Sequence, residues 1–271
     1  MITLYRPSGY DSPRASSFAG RSVDDKPLDV ENGSSFKEID TGRIFRYDKE
    51  NNLWIEQKST TGGGATEPYI EETYDADGNL IGAKMYGYTF IKNKMYANME
   101  YLKSIEIHGN TSYIGEYAFY KCTNLAFASL PESLTSIGIR AFQDCTNLVL
   151  ASLPESLTSI GDNTFYNCTN LALTSLPEGL ISIGNNTFYG CTSLALTSLP
   201  ESLTSIGIRA FQGCTSLTSI TFKGTPTTIE SSAFSGCTNL TEIKVPWSEG
   251  AVSGAPWGAT NATIIYNYVG E

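Results

Sequence analysis

Histidine is nearly absent from these 271 residues: His108 stands alone, so no mechanism or metal site that needs a histidine pair is available. Positive charge is scarce too, with 18 Lys+Arg against 28 Asp+Glu and a net charge of −10, which argues against an electrostatic grip on nucleic acid phosphates, so no nucleic acid partner is expected. No apolar run approaches the ~18 residues a spanning helix needs, so no membrane insertion is expected. The opening residues MITLYRPSGYDSPR lack a basic region followed by an apolar one, and no secretory signal is expected from them. No CxxC, HExxH or GxxxxGK[ST] occurs, nor a nucleophile–base–orienter set or paired carboxylates at a fixed spacing, so no enzyme, cofactor or metal is expected. Charged residues make up only 17% while 41% are apolar, enough to bury a core.

What the chain has is a repeat. Cys122, Cys145, Cys168, Cys191, Cys214 and Cys237 are separated by 23 residues at every step. Each has a phenylalanine three positions before it (Phe119, Phe142, Phe165, Phe188, Phe211, Phe234) and a leucine three after. An isoleucine lies eight before each (Ile114, Ile137, Ile160, Ile183, Ile206, Ile229), followed by glycine in the first five copies and by Glu230 in the last. Such periodicity marks a solenoid. The unit LALTSLPESLTSIGIRAFQGC reads as a strand stopped by Leu-Pro, a second short strand LTSI, and a stretch too short for an α-helix that fits a 3₁₀ turn. One coil cannot fold alone; its neighbours supply ladder hydrogen bonds and shared burial.

LPESLTSIGIRAFQDCTNL resembles the BspA-type leucine-rich repeat, whose consensus couples a Leu-Pro strand end, a Ser-Ile-Gly turn and an Ala-Phe-x-x-Cys turn. The resemblance covers about Leu102 to Pro246. It implies a mainly β, right-handed leucine-rich solenoid of six full coils used for protein or surface recognition, in bacterial and protozoan surface proteins and in phage and prophage proteins.

One departure bears on function. The family strand Leu-Thr-Ser-Ile-Thr-Leu survives at 217–222 and 240–245, but four middle copies read LAFASL, LVLASL, LALTSL and LALTSL. Phe127, Leu150, Leu173 and Leu196 thus fall on a normally polar position. A one-residue shift turns a side chain to the opposite face. Either the strand bulges and these four stay in the core, or they form an exposed apolar ladder, which would be the partner-binding site. The cysteines read as a ladder of buried free thiols, because stacked side chains run parallel and do not face each other.

The ends differ. Ile91, Tyr96 and Met99 occupy the Ile, Phe and Cys positions of a degenerate leading coil within a hairpin-and-cap region at 68–101, ahead of the solenoid at 102–246. Past Pro246 the period is abandoned, and a C-terminal cap at 247–271 is expected, a loop with Trp247 and Trp257 and then a closing strand. Residues 1–33 read as an extended arm that orders only on a partner, 34–58 as a β-meander docking module, and 59–67 as a flexible linker. The Asp75–Asn79 run opens like a calcium loop, but Tyr86 stands where the closing glutamate belongs, so a hairpin turn is expected. FKEIDTGRIFRYDKENNLWIE resembles segments of phage and prophage virion proteins over about 25 residues.

Two functions follow as expectations. The first is a phage or prophage virion component, assembled in the reducing bacterial cytoplasm, that docks by its N-terminal region and presents the solenoid for protein or cell-surface binding. The alternative is a BspA-like bacterial cell-surface adhesin. Either implies a protein partner, other virion proteins or a receptor, with a surface glycan as a further candidate ligand and a homo-oligomer or larger assembly as the working state.

Overall fold

The computed structural model describes residues 68–269 other than residue 151, together with the backbone of five strands that precede residue 68. Two compact units divide it: residues 1–88 with 105–109, and residues 89–104 with 110–271.

The first unit is a sheet. Its strands lie in the order Ser104–His108, Leu80–Tyr86, Tyr69–Tyr74, Thr3–Tyr5, Ser17–Gly20, Ser35–Glu38, Ile44–Asp48 and Leu53–Gln57. The last three pair antiparallel in succession, as a meander does. The segment read as an arm contains two strands: Thr3–Tyr5 pairs with Tyr69–Tyr74 and with Ser17–Gly20, and the latter runs parallel to Ser35–Glu38. Thr-Leu-Tyr is β-favouring, but three residues carry too little alternation to reveal a strand whose partner lies so far along the chain. The rest of 1–33, the meander turns and the 59–67 linker lie outside the described residues.

Tyr69–Tyr74 and Leu80–Tyr86 form a hairpin. Its turn is closed by the Asp75 carboxylate, whose Oδ1 accepts the Asp77 and Asn79 amides at 3.0 and 2.8 Å, an Asx turn. His108 is exposed in this unit; its ring stacks on Tyr86 with centroids 4.6 Å apart, and its Nε2 lies 3.2 Å from Glu106.

The second unit is a mainly β, parallel-strand solenoid without a helix among the described residues. Phe90–Ile91, Tyr113–Ile114, Ser136–Ile137, Ser159–Ile160, Ser182–Ile183, Ser205–Ile206 and Thr228–Ile229 form one parallel ladder, each step a shift of one repeat. The isoleucines point inward, and the phenylalanine column beside them is fully buried, with rings stacked at 5.0–5.6 Å from Phe119 to Phe234. Tyr96 of the leading coil continues this stack on Phe119 at 5.5 Å and is 2% exposed, so the degenerate coil shares the core.

Turn chemistry departs from the 3₁₀ reading. Backbone bonds do run from Ala141 N to Gly138 O and from Cys145 N to Phe142 O, the three-residue spacing of a 3₁₀ turn. But Arg140 and Asp144 have φ of 56° and 61°, and Asn163 and Asn167 repeat this one coil on. Two left-handed residues in each of these coils break any continuous 3₁₀ helix and fold the segment as successive tight turns.

Glycine after the inward isoleucine follows from close approach. A Cβ at Gly161 would lie 2.7 Å from Ile139 N of the preceding coil, backbone that cannot yield. Gly161→Ala is therefore expected to lower stability by about 1–3 kcal/mol, read as an earlier urea midpoint at unchanged slope; an unmoved midpoint would show that the coils have slack there.

The C-terminal segment keeps one more coil where the sequence suggested only a loop and strand. Phe234 N donates to Trp257 O at 2.9 Å, as Phe211 N donates to Ala233 O at 2.8 Å, and Thr263–Ile265 pairs parallel with Glu242–Lys244. Trp257 is fully buried and, with Trp247, packs against Phe222, closing the apolar column. This coil lacks the Phe-x-x-Cys pair that makes the other coils recognisable.

Candidate functional site

The four residues singled out as a partner ladder do not share a face. Leu150, Leu173 and Leu196 are 3%, 0% and 2% exposed, whereas Phe127 is 52% exposed. This corrects the exposed-ladder expectation for the three leucines, which are core. In the family-like strands, inward residues fall three and five positions after the leucine: Ile220 and Phe222 after Leu217, Ile243 and Val245 after Leu240. In the shifted copies they fall two and five after: Leu150 and Leu153, Leu173 and Leu176, Leu196 and Leu199. Turning the second residue inward breaks the alternation a strand requires, and no strand forms at 148–153 or 171–176 among the described residues. Phe127 instead keeps the family register, with Ala128 inward and itself outward, in the strand Phe127–Ser129. It is bridged to Val149, which is 50% exposed, and the two make a small apolar patch.

The cysteines form a ladder of donors. Each Sγ donates to the carbonyl at the Phe position of the preceding coil: Cys122 to Tyr96 at 2.9 Å, Cys145 to Phe119 at 3.0 Å, Cys168 to Phe142 at 3.1 Å, and so on to Cys237. All six are free and buried. Burial pushes the thiols of Cys122 and Cys237 up to about 12 and those of the four between well above the ordinary range. Such thiols are neither nucleophiles nor metal ligands at neutral pH; they are apolar fillers with one weak donor each.

A raised folded pKa favours the protonated thiol, so this contribution is complete below the unfolded value of about 8.5 and is lost as pH climbs toward the folded one. Stability is expected to fall steeply between pH about 9 and 12, by up to about 1.4 kcal/mol per pH unit for each thiol. Urea midpoints across that range check it, and Cys168→Ala should make the decline shallower; an identical slope would show that the thiols do not drive it.

The outer surface is built from polar ladders. Thr146, Thr169 and Thr192 each donate Oγ1 to the carbonyl of the threonine one coil back, at 3.3, 3.0 and 3.2 Å. Among the described residues no three His, Cys, Asp or Glu side chains converge as a metal ligand set. The remaining large exposed side chains of the solenoid include Ile139, Ile181 and Ile208, none of which the periodic reading singled out. The available signal was an isoleucine in columns that other coils fill with Asp, Asn or Thr.

The family model described as a BspA type leucine rich repeat region matches residues 89–194 and 158–252 in six copies. No curated protein matches the chain. The crystal structure of a leucine rich cell surface protein from Faecalibacterium prausnitzii is 28% identical, with a TM-score of 0.54, over 70% of this chain and 55% of its own. The chain therefore spans about half the length of that protein. A leucine rich repeat protein of T. pallidum is 24% identical over 65% of this chain and 81% of its own, with a TM-score of 0.39. One from Bacteroides ovatus is 19% identical over 72% and 75%, with a TM-score of 0.35. Repeat period, inward Ile–Phe–Cys–Leu columns and the extent of the family match agree: the chain belongs to the BspA-type leucine-rich repeat family.

Proposed function

We propose that the chain is a non-enzymatic binding module displayed on a bacterial cell surface, where its solenoid contacts protein partners. The observation that carries this reading is the likeness in sequence and fold to the leucine rich cell surface protein of F. prausnitzii. The solenoid supports it physically: its outward columns are mostly hydroxyls, amides and carboxylates on a rigid stack, which offers an extended contact area. The sheet of the first unit, including the 34–58 meander, serves as the attachment side. The virion reading rests chiefly on the resemblance of the segment around residues 36–56.

Fractionation of cells that make the protein separates the two. Surface display requires that protease added to intact cells removes the chain and that antibody labels it without permeabilisation. Quantitative co-sedimentation with phage particles, with none accessible on intact cells, would overturn the surface reading in favour of the virion one.

A further inference from the structure

Two kinds of turn occupy the four middle coils of the solenoid, one kind in the outer two and the other in the inner two, and they differ in how well they serve the fold. In the coils at 160–168 and 183–191 the turn reads Gly-Asp/Asn-Asn-Thr-Phe-Tyr. Asp162 Oδ1 accepts Asn185 N at 2.8 Å, and Asn185 Oδ1 accepts Ile208 N at 2.9 Å, tying each coil to the next. Asn163 and Asn186 take the left-handed position, which asparagine tolerates better than other non-glycine residues. Thr164 and Thr187 donate to Gly161 O and Gly184 O, and Tyr166 stacks on Tyr189 at 4.6 Å. Every local requirement is met.

The coils at 137–145 and 206–214 read Gly-Ile-Arg-Ala-Phe-Gln and meet none of these. Ile139 and Ile208 offer no acceptor to the next coil and expose 40% and 47% of their surface. Arg140 and Arg209 hold the left-handed position at φ 56°. Gln143 Oε1 and Gln212 Oε1 are buried without a hydrogen-bond partner among the described residues, as is Arg140 Nε. Departures from local rules that recur together mark functional positions more often than defects. Block duplication explains why the two clusters match: LPESLTSIGIRAFQDC at 130–145 recurs at 199–214 with only Asp144 exchanged for Gly213. It does not explain why each tolerates an exposed isoleucine beside a strained arginine.

Charge identifies the occupant. Between Lys121 and Lys223 the sequence holds no cation except Arg140 and Arg209, on a chain of net charge −10. A carboxylate approaching this stretch is repelled except at these two guanidinium groups, which pair with it through charge-assisted hydrogen bonds. Arg140 is pre-positioned by Tyr117, donating Nη1 to its hydroxyl at 2.6 Å and lying 5.5 Å over the ring. Resting on the protein-binding reading above, we infer that the two Ile–Arg–Gln clusters are paired docking points for an extended acidic–aliphatic segment of a partner protein. The segment sets one carboxylate on each arginine and an aliphatic side chain on each isoleucine. Phe–Phe steps of 5.6, 5.6 and 5.5 Å separate the clusters by three coils. That separation is roughly 17 Å, spanned by about five residues of extended chain at about 3.3–3.6 Å each. The second cluster is the stronger, because Arg209 is exposed and Gly213 removes the carboxylate that Asp144 places beside the first.

The test uses the full chain and fluorescent synthetic peptides carrying two Leu-Glu units set two, four, five or nine positions apart. Anisotropy should show the four- and five-residue spacings binding at least tenfold more tightly than the others. Replacing both pairs by the turn the chain uses elsewhere, Ile139→Asn with Arg140→Asn and Ile208→Asn with Arg209→Asn, should abolish that binding while leaving the melting temperature equal or higher. Arg209→Asn alone should weaken it more than Arg140→Asn alone. Absent or spacing-independent binding, or a variant that binds normally, overturns the proposal; so does a variant that melts lower, since the residues are then structural. Attachment of the labelled chain to trypsin-sensitive sites on cells is read in parallel. If it persists in the quadruple variant, the docking proposal fails while the protein-binding reading stands; if the unaltered chain shows none, that broader reading fails.

Discussion

Leu150→Ser combined with Leu173→Ser is expected to unfold the solenoid. Each leucine exposes 3% or less of its surface. Truncating a buried leucine costs about 2–5 kcal/mol, and the new hydroxyl adds its own burial cost of about 1–3 kcal/mol. The sites lie in adjacent coils, so the costs couple and do not simply sum. A combined loss of about 4–10 kcal/mol consumes most or all of a typical stability of about 5–15 kcal/mol. Far-UV circular dichroism of the double variant at 37 °C should lose the solenoid signal. A folded double variant within about 1 kcal/mol of the parent in urea would return these leucines to the surface and restore them as a contact ladder.

Phe165→Ala carries the second large effect. Phe165 is fully buried between Phe142 and Phe188, with ring centroids 5.6 Å away on both sides. Backbone bonds hold the coil above and below, from Phe142 N to Thr164 O at 2.9 Å and from Phe165 N to Thr187 O at 2.9 Å, so the stack cannot collapse into the gap. The expected cost is about 3–5 kcal/mol, with the whole solenoid losing it as one transition because each coil depends on its neighbours. A melting curve unmoved by the change would be incompatible with a shared phenylalanine column.

The parts of the fold legible in the sequence are those where one side chain type recurs at one position. The Ile, Phe, Cys and Leu columns are of this kind, and so is Tyr96, since a tyrosine extends a phenylalanine stack. The C-terminal coil hides its membership: Trp257 and Trp247 fill the core through bulk and not through the Phe-x-x-Cys spacing. The leucine shift was ambiguous for a physical reason. Leu173 two positions after Leu171 satisfies the core as well as Ile220 three positions after Leu217, and only the backbone path decides which side faces inward. In the candidate site, Phe127 was visible as a misplaced apolar residue, but Val149, Ile139 and Ile208 were not. Val149 faces outward because Leu150 beside it turns into the core. Ile139 and Ile208 lie in a column where Asp162 and Asn185 instead accept an amide of the next coil, so their exposure follows from the backbone path and the stacking and not from the composition of one coil. Thr3–Tyr5 and Ser17–Gly20 were illegible because their pairing is long-range and each is four residues or fewer.

The account stands on stacked coils sharing one core, and the thiols report on six of them at once. With the full chain kept unreduced, an aromatic disulfide reagent is added across a urea series and the number of reactive thiols is counted at each concentration. None should react before the transition, and all six should appear together within it, since each Sγ is buried and bonded to the coil before it. Thiols reactive in the native protein, or fewer than six after complete unfolding, would contradict the stacked core and replace the free-thiol ladder with disulfides or open coils.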